Sequence, residues 1–123
     1  MGYSVERFEA LAAEIDERRG DIMLERRGEY SRPPDDVLRN FRVIAGFRRN
    51  RRPTDVCLEF LLKHIQSLTE AVDLQSYSWC WDKPGGGEGL KKRIADAINY
   101  LYLLAACIDE EATQSPEVRP CLT

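Results

Sequence analysis

Apolar residues recur at intervals of three and four along four separate stretches of the chain, the spacing of one face of an α-helix. The first helix is predicted to follow Ser4, a residue type favoured at the N-cap position, and to end by Gly28. The second is predicted to begin near residues 35–36, where two acids suit a helix N-terminus, and to end in the arginine-rich run before Pro53.

The third helix is predicted to start with Thr54 as its N-cap and to continue to about Val72, and the fourth to run from Leu90 to Glu111. The core stripe predicted for the third helix consists of Leu58, Leu61, Leu62, Ile65, Leu68 and Val72. The core stripe predicted for the fourth consists of Ile94, Ile98, Leu101, Ala105 and Ile108. A second line beside that stripe holds Asp96, Asn99, Tyr100, Leu103 and Cys107, so a carboxylate and a carboxamide share one helix face.

The longest connection between predicted helices is the segment 73–89, which contains both tryptophans. Tyr77, Trp79 and Trp81 alternate along it, a pattern that predicts an extended segment with its rings on one side, and glycines 85–87 follow. Two interpretations stand. The rings anchor the loop to the core or to another subunit, or they form a lid that stacks on a base. The glycines are not a Walker loop, because no strand precedes them and no Gly-Lys-Ser/Thr follows.

Four amphipathic helices without a series of strands predict an all-α fold, a small four-helix bundle with one long aromatic and glycine-rich loop between the last two helices. A chain of 123 residues is long enough for one domain with its own core. We assign residues 1–111 to a single domain. Residues 112–123, which contain two prolines and no helical periodicity, are assigned to a C-terminal tail.

Composition and charge argue against a nucleic-acid-binding protein and against a membrane protein. Hydrophobic residues make up 43% of the chain and charged residues 32%, and the net charge of −3 argues against a nucleic-acid-binding protein. No apolar run approaches the roughly 20 residues of a membrane span, and no signal peptide is visible, so a cytoplasmic location without membrane contact is expected. Arg48 opens a cluster of arginines that either completes a solvated helix end or forms a phosphate-attracting patch.

Cysteine and histidine spacing argues against several kinds of catalytic and metal site. None of the 4 cysteines has Cys-x-x-Cys spacing and His64 is the only histidine, which disfavours a zinc site and a nucleophile triad. Cys57 and Cys107 fall on apolar helix faces, where a reduced thiol acts as a small core residue.

A candidate polar site can be assembled if the last two helices pack antiparallel. Its members would be Glu59, Lys63, His64, Arg93, Asp96 and Asn99. Glu59 and Asp96 offer the oxygen ligands that Mg²⁺ prefers. Alternatively, Arg93 or Lys63 neutralises Asp96 in a structural ion pair, and His64 is a hydrogen-bonded packing residue.

Between residues 29 and 110 the chain carries a series of short motifs: Glu29-Tyr30, Asp36-Val37-Leu38-Arg39-Asn40-Phe41, Ile44-Ala45, Leu61-Leu62-Lys63-His64-Ile65 and Asp96-Ala97-Ile98-Asn99-Tyr100. Together they resemble small phage proteins of the MazG-like, nucleotide-modification-associated group. The resemblance implies an all-α bundle, frequent oligomers and a nucleotide-binding site between helices.

Catalytic members of the broader pyrophosphohydrolase group carry two acidic pairs, ExxE and ExxD, that hold Mg²⁺. Asp96 and Asn99 have the spacing of the ExxD pair, but an amide replaces the second acid. Glu59 matches one acid of the other pair, and Leu62 stands at its i+3 position. With half of the acids missing, Mg²⁺ binding should be weak, and we expect no catalytic residues.

The expected function is therefore non-catalytic binding of a nucleotide-like phosphorylated small molecule, and the resemblance suggests a phage protein that sequesters a host defence signal. The expected ligand-binding residues are Arg48, Lys63, His64, Trp79, Trp81, Arg93, Asp96, Asn99 and Tyr100. The basic residues and His64 would take phosphate, Asp96 and Asn99 would hydrogen-bond the base or ribose, and a tryptophan would stack.

Two alternatives remain open. The first is a Mg²⁺-dependent nucleotide pyrophosphohydrolase whose metal ligands are Glu59 and Asp96. The second is a helical adaptor that binds another protein and no small molecule. A homo-oligomer is expected, and no cofactor is expected apart from the Mg²⁺ of the first alternative.

Overall fold

The structure, a computed structural model, describes residues 2–30 (for 27–30 the backbone only), 36–49 and 51–114. These ranges contain four α-helices and no strand: α1 (Val5–Tyr30), α2 (Arg39–Gly46), α3 (Pro53–Asp73) and α4 (Leu90–Gln114). The predicted all-α four-helix fold is confirmed. The second helix is shorter than predicted: α2 begins at Arg39, after the expected start near residues 35–36, and ends at Gly46, before the arginine-rich run. Asp35 and residues 115–123 of the predicted tail, with Cys121, lie outside the described residues.

The beginning of α1 follows the prediction. The backbone N–H of Arg7 donates to Ser4 Oγ at 3.1 Å, so Ser4 is the N-cap. The helix then continues without a break to Tyr30, past the predicted end at Gly28. At the other end of the chain, α4 reaches Gln114, which places the first residues of the predicted tail inside the helix.

The predicted cap of α3 is wrong, because the helix begins at Pro53 and its N-cap is Arg52, two residues before Thr54. Proline suits the first helical position, since it has no N–H to satisfy and its backbone is already in the helical range. The carboxylate of Asp55 accepts a hydrogen bond from the backbone N–H of Arg52 at 2.9 Å. The hydroxyl of Thr54 is used elsewhere, donating to Glu111 on α4 at 2.6 Å.

The pairing of α3 with α4 is antiparallel, as the candidate polar site required. Thr54 near the start of α3 contacts Glu111 near the end of α4, whereas Ser67 accepts a hydrogen bond from Arg93 at 2.9 Å. α4 also packs against α1, and α2 packs against α3. The helices of the described fold therefore pack in the order α1, α4, α3, α2, with α4 and α3 in the middle.

Two apolar clusters lie on α4. The first joins α2, α3 and α4 through Leu38, Phe41, Ala45, Val56, Cys57 and Cys107. The second joins α1 and α4 through Ile15, Ile22 and Ala95, with Trp81 packed against it. Among the described residues, the buried polar side chains are those of Asp96 and Asn99, at 2% and 6% exposure. The fold therefore buries a polar pair on the helix that its two cores share.

The core stripes predicted for α3 and α4 are only partly correct: Leu61 is buried, and Ile94 and Ile98 pack against the second cluster, but most other members are exposed. Leu62 and Val72 on α3 are 55% and 60% exposed, and Leu101 and Ile108 on α4 are 52% and 49% exposed. The buried residues of α4 come from other positions: Leu90, Ala95, Asp96, Ala97, Asn99 and Cys107. The distance between packed helices depends on the side chains at the contact, and α4 turns the small residues Ala95, Ala97 and Cys107 towards its neighbours.

The segment between α3 and α4 is a tight loop bound to the N-terminus of α4. Its tip is closed by an antiparallel bridge between Asp82 and Glu88, and glycines 85–87 have positive φ angles that favour glycine. The carbonyl of Ser78 accepts from Leu90 N at 2.7 Å, and that of Trp81 accepts from Gly89 N at 2.8 Å. These bonds satisfy amides that a helix start leaves unpaired, which fits the anchored interpretation of the loop.

In the described ranges, no helix combines the length and the apolar character that crossing a membrane requires.

Candidate functional site

Asp96 is a buried carboxylate with one cation 3.8 Å from each of its two oxygens. Nη2 of Arg26 lies 3.8 Å from Oδ1, and Nζ of Lys92 lies 3.8 Å from Oδ2. Both distances exceed the range of a hydrogen bond. No donor among the described residues bonds to Oδ2, although the side chain is 2% exposed. A buried acceptor without a donor costs about 1–3 kcal/mol, so a ligand that brings a donor would be stabilised here.

Asn99 lies one turn further along the same face of α4. Its Oδ1 accepts from Nη1 of Arg19 at 3.4 Å, and its Nδ2 donates to the backbone carbonyl of Arg19 at 3.1 Å. These two contacts fix the orientation of the amide. Because an amide nitrogen carries two hydrogens, Nδ2 can donate to one further acceptor.

Three aromatic rings from three helices form a wall beside this polar pair. The ring centroids of Phe41 and Phe60 are 6.0 Å apart, those of Phe41 and Tyr100 are 6.4 Å apart, and those of Phe60 and Tyr100 are 6.2 Å apart. These are the tilted and edge-to-face arrangements that aromatic rings prefer. The wall is therefore part of the packed core and is ordered by it.

A cavity of about 330 Å³ lies between this aromatic wall and α1, and we call it the Asp96 cavity. Its lining residues are Met23, Arg26, Val37, Asn40, Phe41, Val43, Ile44, Phe60, Asp96, Asn99, Tyr100 and Leu103. Asp96, Asn99 and Phe41 are buried, whereas Val37, Asn40 and Val43 are exposed, so the mouth lies along α2 and the polar pair is deep. The volume is at the small end of the roughly 300–1,000 Å³ of small-molecule sites.

The predicted ligand-binding residues are brought together only in part. Asp96, Asn99 and Tyr100 line the cavity. His64 contacts the wall, with its ring centroid 4.9 Å from that of Tyr100, and Lys63 Nζ lies 5.3 Å from the centroid of Phe60. Neither residue lines the cavity, because Asp96 and Asn99 face α1 instead of α3.

The remaining predicted residues lie elsewhere. Arg93 donates to Ser67 on α3, and Arg48 pairs with Glu59. Trp81 packs into the core cluster of α1 and α4, and Trp79 lies beside Lys91, with the ammonium 5.6 Å from its ring centroid. The two tryptophans thus belong to the loop that caps α4, and they do not line the Asp96 cavity.

The two metal ligands of the hydrolase alternative are also apart. Glu59 pairs with Arg48 and with Arg51, whose Nη1 lies 3.3 Å from Oε1. In the antiparallel register, Glu59 and Asp96 differ in level by roughly 10 Å along the helices at 1.5 Å per residue. Across the described ranges, no group of three or more His, Cys, Asp or Glu side chains is placed to hold a metal ion.

Sequence reasoning missed several residues of the cavity. Phe41 and Asn40 stand in one of the short motifs, which was a signal for them. Phe60 belongs to α3 and carries no signal beyond its apolar character. Met23 and Arg26 belong to α1, and nothing in the pattern of the chain indicates that α1 packs on the Asp96 face.

Comparison with protein-family models, with curated proteins and with solved structures gave no match to this chain.

Proposed function

We propose that this chain is a MazG-like, non-catalytic protein that binds a nucleotide-like phosphorylated small molecule in the Asp96 cavity. The observation that carries the proposal is the buried carboxylate of Asp96, a residue that lines a cavity with an aromatic wall and whose Oδ2 has no donor among the described residues. Nucleobases are flat and carry N–H donors, so they match both features. In the phage setting that the motifs suggest, binding would sequester a signal of the host's defence.

The phosphate of the ligand would lie beside Arg26. This guanidinium lines the cavity and lies 3.8 Å from Asp96. The planar fork of a guanidinium is suited to holding phosphate oxygens. Lys63, near the ring of Phe60, adds positive charge behind the aromatic wall.

A thermal-shift experiment on the full chain tests this proposal. Nucleoside mono-, di- and triphosphates are each added in Mg²⁺ and in EDTA. We expect stabilisation that persists in EDTA. Asp96→Ala should lose the shift while its circular dichroism keeps the helical signal, and the exposed Asp73→Ala should behave like the wild type. No shift with any nucleotide would contradict the proposal and favour a protein-binding adaptor.

The same experiment distinguishes the Mg²⁺-dependent hydrolase from the non-catalytic binding protein. Stabilisation that requires Mg²⁺, together with release of pyrophosphate, would contradict a non-catalytic role. In that case Glu59→Gln and Asp96→Asn should each abolish pyrophosphate release. If only Asp96→Asn does so, Glu59 is not a metal ligand.

We further propose that the chain forms a homo-oligomer through the exposed apolar sides of α3 and α4. This α3–α4 face consists of Leu58, Leu62, Ile65, Val72, Leu101 and Ile108, all exposed. Exposed apolar residues in such number are typical of an interface, and a second copy offers the same residues for a two-fold contact.

Light scattering on the full chain tests the oligomer. The double variant Leu62→Glu, Leu101→Glu should reduce the particle mass to that of one chain. Val5→Glu is the matched control, because Val5 is also apolar and is 72% exposed, but lies on α1. A wild-type chain that is monomeric at micromolar concentration would contradict this part of the proposal.

A further inference from the structure

We propose that the base in the Asp96 cavity is guanine, held by its N1–H and N2–H donors on the Asp96 carboxylate. This inference rests on the proposed function and adds the identity of the base.

The carboxylate of Asp96 can form hydrogen bonds only with groups that donate them. An ionised carboxylate only accepts hydrogen bonds, and Oδ2 has no bond from the described residues. The cations of Arg26 and Lys92, each 3.8 Å from one of its oxygens, are beyond hydrogen-bond distance. A base edge that turned a lone pair towards Asp96 would therefore be repelled from a buried negative charge.

Guanine is the common base whose pairing edge carries two adjacent donors. Adenine and cytosine each place one amino donor beside a ring-nitrogen acceptor, and uracil places its single N–H between two carbonyls. Two parallel N–H donors match the two oxygens of one carboxylate, the geometry that makes bidentate contacts strong.

Asn99 supplies the complementary group for the rest of that edge. Arg19 fixes its amide with Nδ2 donating to a backbone carbonyl, and the second hydrogen of Nδ2 can donate to the O6 carbonyl of guanine. Along one face of α4, the carboxylate of Asp96 offers acceptors and the amide of Asn99 offers a donor. This order is complementary to the two donors and one acceptor on the pairing edge of guanine. The rings of Phe41, Phe60 and Tyr100 supply the apolar wall for the flat base.

Isothermal titration calorimetry with a series of nucleoside monophosphates tests the inference. Guanosine monophosphate should bind about tenfold or more tightly than inosine monophosphate, which lacks the N2 amino group, since one hydrogen bond to a charged group is worth about that factor. Adenosine, cytidine and uridine monophosphates should bind more weakly than guanosine monophosphate. This comparison uses the wild-type chain, so it does not depend on any variant folding.

A second test uses the variant Asp96→Asn in the same titration experiment. The amide keeps one acceptor and gains one donor, which matches the N1–H and C2 carbonyl of xanthine, so preference should move from guanosine to xanthosine monophosphate. Asp73→Asn is the matched control and should keep the guanosine preference. Nucleotide binding without a guanosine preference, or a preference that Asp96→Asn leaves unchanged, would overturn the guanine assignment and leave the proposed function standing. No binding of any nucleotide would overturn both.

Discussion

The carboxamide of Asn99 on α4 is bound at both ends by Arg19 on α1, with Oδ1 accepting from the guanidinium and Nδ2 donating to the backbone carbonyl. The amide is 6% exposed, so these bonds are shielded from water. A carboxylate at this position would turn an acceptor towards the Arg19 carbonyl, which cannot donate. The amide that stands where the resembled hydrolases carry an acid therefore has a structural role of its own.

Asn99→Asp should lower the free energy of unfolding by about 1–3 kcal/mol, because a buried donor is lost and a second negative charge is placed one turn from Asp96. Urea unfolding at neutral pH measures the change. Asn40→Asp, at the exposed mouth of the same cavity, should stay within about 0.5 kcal/mol of the wild type. If Asn99→Asp were as stable as the wild type and released pyrophosphate from nucleotides in Mg²⁺, the structural account of Asn99 would be wrong.

Gly89→Ala should destabilise the chain by about 2 kcal/mol or more, as overpacking against backbone does. A Cβ at this buried position would lie 1.6 Å from the carbonyl oxygen of Cys80. The loop would have to leave the N-terminus of α4, breaking the bond from Gly89 N to Trp81 O. Urea unfolding measures the loss, and tryptophan fluorescence reports the displacement of Trp81 from its core cluster.

Gly20→Ala is the matched control for Gly89, and its expected effect has the opposite sign. Gly20 lies inside α1, and a Cβ there would meet no atom within 4 Å. Alanine should therefore raise the free energy of unfolding by about 0.5–1 kcal/mol through its higher helix propensity. Equal losses in both variants would contradict the packing that we describe around Gly89.

The number and type of helices could be predicted from the chain, but the buried side of each helix could not. Helical periodicity reports which face is apolar, whereas burial depends on which neighbour covers that face. Leu101 and Ile108 belong to the most regular apolar stripe of the chain and are about half exposed, at 52% and 49%. The buried residues of α4 include Asp96, Asn99 and Cys107, whereas the predicted stripe packs in a core cluster only at Ile94 and Ile98.

The candidate site could be predicted only where its residues stand on one helix. Asp96, Asn99 and Tyr100 follow from the face they share on α4, and they line the cavity. Arg19 and Arg26 come from α1, and contacts between helices so distant in sequence leave no mark in the local pattern. The alternation of Trp79 and Trp81 predicted a ring-bearing segment, but not that its backbone carbonyls cap α4.

Stability should fall in acid through Asp55 and Asp36. The side-chain hydrogen bond from Arg52 lowers the pKa of Asp55 from 3.8 to about 2, and the one from Arg42 lowers the pKa of Asp36. A lowered folded-state pKa gives stability that is present above the unfolded pKa and is lost as pH falls through the folded one. The free energy of unfolding should therefore drop between about pH 4 and about pH 2.

The variant Asp55→Asn measures how much Asp55 contributes to the loss of stability in acid. The variant should be less stable than the wild type at pH 6, since it loses the charge-assisted bond with Arg52. It should also show a shallower fall of stability between about pH 4 and about pH 2, because the titrating group is gone. Urea unfolding across this range measures both effects. An unchanged slope in Asp55→Asn would show that the Arg52 contact contributes nothing to acid stability.

Cys57 and Cys107 should resist alkylation while Cys80 reacts. Both core thiols are buried, at 0% and 3% exposure, whereas Cys80 is exposed. A hydrogen bond with Cys107 and burial raise the pKa of the Cys57 thiol, so little reactive thiolate forms there. With iodoacetamide at pH 8, peptide mass spectrometry should show Cys57 and Cys107 reacting about 100-fold or more slowly than Cys80, since labelling them requires opening of the core. In denaturant the three rates should converge, and fast labelling of Cys57 in the native chain would contradict the packing of α3 against α4.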